Sequence, residues 1–411
     1  MQWLVSPRLA IVRHVQRPVV SSSAPRAGWW LFLAGASAVL ILYGSLFPFR
    51  MRTSADLDLL DVVALTFKPT TRGDIVANLL LYMPLGLCLT FAWRGRGARW
   101  PLARTILIGT ALSVAVEVTQ IYLRFRVSSL TDVALNAIGT LCGAFAATAY
   151  AALGTSVRIP ALASSRLDPA ALSVVILWLS FRLAPFVPTI DWQKYKDALK
   201  PLFIDPQVGA LELLRYVTGW LLVSYAVRLL TRREYVLAAT LAIVGIVLFG
   251  RLVVVGKTLN VSEIAALAAC VPLAAVLIAL RDQRRVAVLA ALLTAAIVAQ
   301  GLAPFELLPH AQGFSWMPFR SSLSGSIELN YSVLLEKCFW YFSLVWVLSR
   351  CGWNAAAAAL GTASLVATIE VVQMWLPGRS ADVTDPLLAL AGGLLLAIPR
   401  ERFAPAAGIR V

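Results

Sequence analysis

Twelve apolar windows run through this chain, at 29–47, 76–93, 105–123, 130–150, 170–187, 210–227, 235–250, 261–280, 286–304, 331–349, 354–376 and 383–399. About twenty apolar residues, rising about 1.5 Å each in a helix, cover a hydrocarbon core roughly 30 Å thick. No water is available there to satisfy a backbone group, so each window must close its own hydrogen bonds as an α-helix. The expected fold class is therefore all-α, a polytopic transmembrane helical bundle of about 12 spans.

The charge pattern then reads as topology. An excess of 36 Lys plus Arg over 21 Asp plus Glu, net +15, would point to nucleic acid in a soluble protein. In a membrane protein, cations between spans set orientation instead. With a cytoplasmic N-terminus, the inner segments hold 20 of the cations and 4 of the acids, leaving 16 cations and 17 acids for the outer loops and the spans. Both termini are expected in the cytoplasm, with no nucleic-acid partner. The leader at 1–28 carries Arg8, Arg13, Arg17 and Arg26. The window after it is too long for a signal-peptide core and reads as an uncleaved first helix.

Several chemistries lack material. The five cysteines show no paired spacing, and His14 and His310 stand far apart, so no metal site, disulfide framework or histidine triad is expected. No Gly-rich phosphate or dinucleotide motif occurs, and no cofactor is expected. Two outer segments, 56–67 and 191–203, mix apolar and charged residues in the manner of interfacial stretches.

Against this apolar background, VEVTQIYLRFRVSSLTDVALN (Val116 to Asn136) stands out. Glu117 and Gln120 share one helical face, as do Asp132 and Asn136 on the next helix. The connection between them is short, so the two helices form an antiparallel hairpin with Arg126 at its tip. A carboxylate inside a span costs roughly 2.5 to 3.5 kcal/mol unless it finds a partner or water. Glu117 is thus expected to pair with Arg126 or Arg124, or to be protonated. Asn78, near the outer end of NLLLYMPLG, is placed to face the same pocket. Pro84 in that stretch reads as a helix kink, and GTLCG (Gly139 to Gly143) as a close-packing surface.

The motif recurs. Shifted by 253 residues, Glu117 to Gly139 lies without gaps on Glu370 to Gly392, identical at 9 of 23 positions. Glu370, Gln373, Arg379 and Asp385 repeat the polar set, while Ala389 replaces Asn136 and Glu336 falls near the place of Asn78. A fainter copy at a shift of 131 has Lys257 and Glu263 for Arg126 and Asp132. It has Leu248 and Arg251 where the Glu and Gln stood. Pro-Phe follows the first helix of each copy, at Pro48, Pro185 and Pro304. These features divide the chain into a basic leader (1–28), a complete unit (29–150), a degenerate unit (170–280), a partial unit (286–399) and a cytoplasmic tail (400–411), with the units in one orientation.

The order LFPF, NLLLYMPLG, ExxQ, Arg and DxxxN resembles the VanZ-like family of integral membrane proteins. That resemblance implies a helical module of the bacterial cytoplasmic (inner) membrane and a link to glycopeptide, particularly teicoplanin, resistance. The leading expectation is that Asn78, Glu117, Gln120, Arg126, Asp132 and Asn136 bind a membrane lipid or lipid-linked envelope component from the outer leaflet. In that reading Arg126 meets an anionic group. The second candidate site is Glu370, Gln373, Arg379 and Asp385. Three other readings stand beside it: a secondary transporter, an intramembrane enzyme with Glu117 or Asp132 as acid or base, and a structural network that pins the hairpin.

Overall fold

The computed structural model describes residues 24–52, 72–124, 126–156, 168–204, 206–320 and 327–397. Residues 1–23 of the expected leader, the interfacial stretch 56–67 and the expected tail 400–411 lie outside these.

Every apolar window holds a helix. In chain order these are α1 (Ala24–Leu46), α2 (Arg72–Gly95), α3 (Pro101–Ile121), α4 (Leu130–Ser156), α5 (Pro169–Leu183), then α7 (Ala210–Leu230), α8 (Val236–Val253), α9 (Val261–Ala279), α10 (Asp282–Leu302), α11 (Ile327–Arg350), α12 (Ala355–Gln373) and α13 (Thr384–Leu396). Among the described residues one further helix, α6 (Trp192–Phe203), lies within one of the stretches read as interfacial. It is amphipathic, with Trp192 and Phe203 exposed. Among the described residues there is no strand, only isolated bridges.

Of the twelve helices in the apolar windows, ten are long and apolar enough to cross a membrane among the described residues. The other two fall short of the twelve full spans expected. α5 has 15 residues and α13 has 13, lengths of about 22 and 20 Å against a core of roughly 30 Å. α5 is bounded at both ends by its own chemistry. The Asp168 carboxylate caps the N-terminus by accepting from Ala170 N at 3.1 Å, and Pro185 stops the helix after Ala184. α8 and α1 bury little of their apolar surface within the protein, as befits helices whose outer faces meet lipid.

Packing follows one scheme twice. α1, α2, α3 and α4 pack in the pairs 1–2, 1–3, 2–3, 2–4 and 3–4, and α10 to α13 repeat all five pairings. The α2–α4 crossing is close because glycine removes the side chains. A Cβ at Gly143 would lie 2.0 Å from Met83 O, one at Gly139 2.5 Å from Leu79 O, and one at Gly86 2.0 Å from Thr140 O. The GTLCG stretch is therefore a helix-packing surface. Pro84 lies inside α2, which continues through it.

The largest core is shared by α5, α7, α10 and α11, around Trp178, Trp220 and Phe339. Trp178 stands 5.0 Å from Trp220 and 5.1 Å from Phe339, ring centre to ring centre. The α1–α4 group has its own core around Ile41, Tyr82 and Leu85. It meets the rest through α2 against α11 and through the Tyr43 hydroxyl, which donates to Pro318 O at 2.7 Å.

One backbone bond recurs beyond each Pro-Phe. Four residues after the proline, an N–H donates to a carbonyl just past or at the end of the third helix of the group. The three bonds are Arg52 to Tyr122 at 2.8 Å, Thr189 to Val253 at 3.0 Å and Leu308 to Trp375 at 2.7 Å. Phe49, Phe186 and Phe305 all take a left-handed conformation, with φ of 59°, 58° and 66°.

Candidate functional site

The last turn of a helix leaves carbonyls without intrahelical partners, and in hydrocarbon these must be met by protein. At the end of α1 the motif supplies the donors. Arg126 sends Nε to Phe47 O at 2.9 Å and Nη2 to Gly44 O at 2.8 Å, and Gln120 Nε2 reaches Ser45 O at 2.9 Å. The second copy repeats the bonds on the end of α10. Arg379 Nε donates to Ala303 O at 2.9 Å, Arg379 Nη2 to Gln300 O at 2.7 Å, and Gln373 Nε2 to Gly301 O at 2.9 Å.

The glutamate has a different partner from the one expected. Glu117, buried in α3, accepts the Ser129 N–H through Oε2 at 2.8 Å, while Ser128 Oγ donates to its main-chain carbonyl at 2.8 Å. In the other copy Glu370 Oε2 accepts Asp382 N at 2.7 Å. Of the alternatives expected for Glu117, the ion pair with Arg126 or Arg124 is replaced by backbone anchors, and the contacts leave the protonated form open. Arg126 still feels the carboxylate. Burial lowers its tendency to hold a proton, and the field of Glu117 offsets part of that.

Asn78 does reach the cluster, its Nδ2 donating to Asp132 Oδ1 at 2.8 Å. Asn136 Nδ2 donates to Ser113 Oγ at 2.9 Å, one turn before Glu117 on α3. Asn136 is 4% exposed, and its Oδ1 accepts no hydrogen bond among the described residues. The motif residues therefore divide by job. Gln120 and Arg126 fasten the hairpin to α1, Glu117 orders the hairpin backbone, and Asn78, Asp132 and Asn136 form a polar face between α2, α3 and α4.

In the second copy Asp385 takes Lys337 Nζ and the Tyr341 hydroxyl, both at 2.6 Å. Glu336, which sequence register placed near Asn78, pairs instead with Arg215 of α7. Lys337 was visible in the sequence only as a charge within a span, and the register that put Glu336 near Asn78 is one residue off, since Lys337 holds Asp385 as Asn78 holds Asp132. The spacing of Lys337 and Tyr341, four apart on one helical face, was the available signal. At the position of Asn136, Ala389 is fully buried. Among the described residues no group of His, Cys, Asp and Glu could hold a metal.

Replacing Gln120 by Leu should cost about 1 kcal/mol by leaving the Ser45 carbonyl without its donor, with a similar loss for Gln373→Leu at Gly301. Thermal unfolding of the purified variants in detergent measures this. Wild-type stability in both would mean that these bonds do not hold the hairpin.

The sequence model of a protein family described as VanZ/LLP1 matches residues 28–151 and 299–398, more than half of the chain, and each match contains one copy of the motif. No curated protein and no solved structure matches.

Proposed function

The chain belongs to the VanZ/LLP1 family, and on that premise we propose that it is an envelope membrane protein that holds the polar head of an amphiphile. The site is the face formed by Asn78, Asp132 and Asn136, with the Glu117 carboxylate, which holds the hairpin backbone, near enough to Asp132 to feel its charge. Its ligand is a membrane lipid or a lipid-linked envelope component entering from the outer leaflet, and the cellular consequence is resistance to glycopeptides such as teicoplanin. The protein lies in the bacterial inner membrane with both termini cytoplasmic, the orientation favoured by its cations.

The observation that carries this reading is Asn136. A buried amide carbonyl without a donor costs about 1 to 3 kcal/mol, and here it sits one turn from Asp132, on a side chain whose nitrogen bonds Ser113 of α3. The group that would satisfy it is a hydrogen-bond donor. With two carboxylates beside it, the head group it suits carries hydroxyls or an ammonium. Arg126 contributes by position, because the edge it would offer to an anion is already bonded to α1 carbonyls.

The matched segment 299–398 repeats the hairpin with Glu370, Gln373, Arg379 and Asp385. Its aspartate is already held by Lys337 and Tyr341, and Ala389 stands in place of the amide. We assign it the supporting role and the first segment the binding role. The recurrence of the Thr189 to Val253 bond supports reading α5 to α9 as a third, divergent unit.

The test is phenotypic. Produced at matched abundance in a glycopeptide-sensitive bacterium, the wild-type chain should raise the teicoplanin concentration needed to stop growth. A Glu117→Gln, Asp132→Asn variant should lose that protection. Equal protection by both would refute the role given to the carboxylates.

A further inference from the structure

The two copies of the hairpin give the same aspartate different neighbours. In the second copy α11 carries Lys337 and Tyr341, four residues apart and therefore on one helical face. The Lys337 ammonium meets Asp385 Oδ1 and the Tyr341 hydroxyl donates to Asp385 Oδ2, both at 2.6 Å. The aspartate is closed in by these groups and is 4% exposed. In the first copy α2 offers the same spacing as Asn78 and Tyr82. Asn78 donates to Asp132 Oδ1 at 2.8 Å, as Lys337 does to Asp385, but it brings a neutral amide where the lysine brings a charge. Tyr82 is fully buried, and its hydroxyl has no hydrogen-bond partner among the described residues. Asp132, in the first turn of α4, stays half-buried.

The second copy also serves as a control on what the fold needs. At the positions of Ser113 and Asn136 it has Val366 and Ala389, both buried. The same arrangement of four helices is thus built with apolar side chains there, and the fold alone does not call for the polar pair. The pair also leaves hydrogen bonds unmet. One turn further into the bundle than Asn78 and Asp132, the Tyr82 hydroxyl and Asn136 Oδ1 are both buried and both without partners among the described residues, an arrangement that costs stability unless something else meets them.

We propose that the first copy takes from its ligand the group that the second copy carries on Lys337: a primary ammonium, seated on Asp132. This rests on the reading of that face as an amphiphile site and names the head group it receives. A partly desolvated carboxylate holds an ammonium by a charge-assisted hydrogen bond, and Lys337 Nζ on Asp385 is that contact made within the chain. Glu117 adds negative charge close to Asp132. Arg126, whose charge also reaches Glu117, is held on the carbonyls of Phe47 and Gly44. An ammonium has three N–H groups, and the orphaned oxygens of Tyr82 and Asn136 are acceptors for those that Asp132 does not take. A trimethylated ammonium has no N–H and is excluded. A lipid head group and a free alkylamine share the recognised chemistry, and the experiment separates the two sources.

The purified full chain in detergent is titrated with phosphatidylethanolamine, phosphatidylcholine, phosphatidylglycerol and ethylammonium, while native mass spectrometry and thermal melting are followed. Phosphatidylethanolamine should be retained and should raise the melting temperature, and the other two lipids should do neither. Asn78→Lys, which supplies the ammonium from the chain itself, should abolish that response. Asp132→Asn, which keeps an acceptor for Asn78, should weaken it at least tenfold and decides the case if the lysine variant does not fold. Ethylammonium that stabilises the chain as well as the lipid does would assign the site to the free amine. Equal retention of phosphatidylcholine would overturn the proposal, because no N–H would then be read. Phosphatidylglycerol retained in place of phosphatidylethanolamine, and lost with Asp132→Asn, would overturn the ammonium while leaving the amphiphile site in place. If Asp132→Asn folds and changes the binding of no lipid, both fall.

Discussion

Glu263→Gln is expected to destabilise the folded chain by about 3 to 5 kcal/mol, the usual cost of leaving one partner of a buried ion pair alone. Glu263 is fully buried, Arg182 is 4% exposed, and Arg251 completes the group at 3.3 Å. The substitution keeps size and shape, and the helix cap at this position uses the Glu263 N–H donating to Asn260 Oδ1 at 3.0 Å, which remains. Only the charge goes, and with it the compensation of two guanidinium groups. The double change Arg182→Met, Glu263→Leu should recover part of the loss, because a well-packed apolar pair can replace the Arg182–Glu263 bridge while Arg251 still loses its carboxylate. Denaturant titration in mixed micelles measures both. A single variant as stable as wild type would mean that Arg182 and Arg251 find other compensation.

Gly143→Leu should be at least as damaging, through sterics alone. Its Cβ would lie 2.0 Å from Met83 O and 2.9 Å from Leu87 N, and both are backbone atoms that no rotamer change can move. α2 and α4 would have to separate, and their crossing carries Asn78 to Asp132. Overpacking typically costs about 1 to 3 kcal/mol and sometimes more, and a backbone clash in the most closely packed helix pair belongs at the upper end. The yield of monodisperse protein should collapse. Gly245→Ala has nothing within 4 Å of the added carbon and should change stability by less than about 0.5 kcal/mol. If the two variants purify alike, the close α2–α4 approach is wrong.

The helices were legible because the hydrocarbon core imposes length and apolarity together. The windows 210–227 and 261–280 became Ala210–Leu230 and Val261–Ala279. α5 and α13 were overestimated because an apolar run continues past the point where Pro185 or the chain's own turn ends the helix. Glycine spacing in GTLCG announced a close approach, and Leu79 and Met83 proved to be what approaches.

The site was half legible. Spacing placed Glu117 with Gln120 and Asp132 with Asn136, and Asn78, expected only to face the same pocket, bonds Asp132. The partners of Glu117, Gln120 and Arg126 were not, since they are backbone groups at Ser129, Ser45, Phe47 and Gly44. Every residue but proline carries an N–H and a C=O, so no side-chain pattern advertises which will be used. Opposite charges in one motif suggested an ion pair, and the helix end of α1, with carbonyls to satisfy, won the arginine instead. Arg182 was invisible for another reason. It comes from α5, and no residue of α1 or α10 offers a counterpart to compare.

The most direct test of the hairpin as a binding site is mass spectrometry of the lipids and amphiphiles that co-purify with wild type and with Glu117→Gln, Asp132→Asn. Both substitutions keep a carbonyl acceptor for Ser129 N or Asn78 Nδ2, so the hairpin should stay folded while its negative charge is removed. At equal abundance and melting temperature, a class of amphiphile bearing hydroxyl or ammonium groups should be enriched with wild type and lost from the variant. Identical lipid profiles for the two proteins would contradict the binding role and leave the polar motif as a device for fastening helices together.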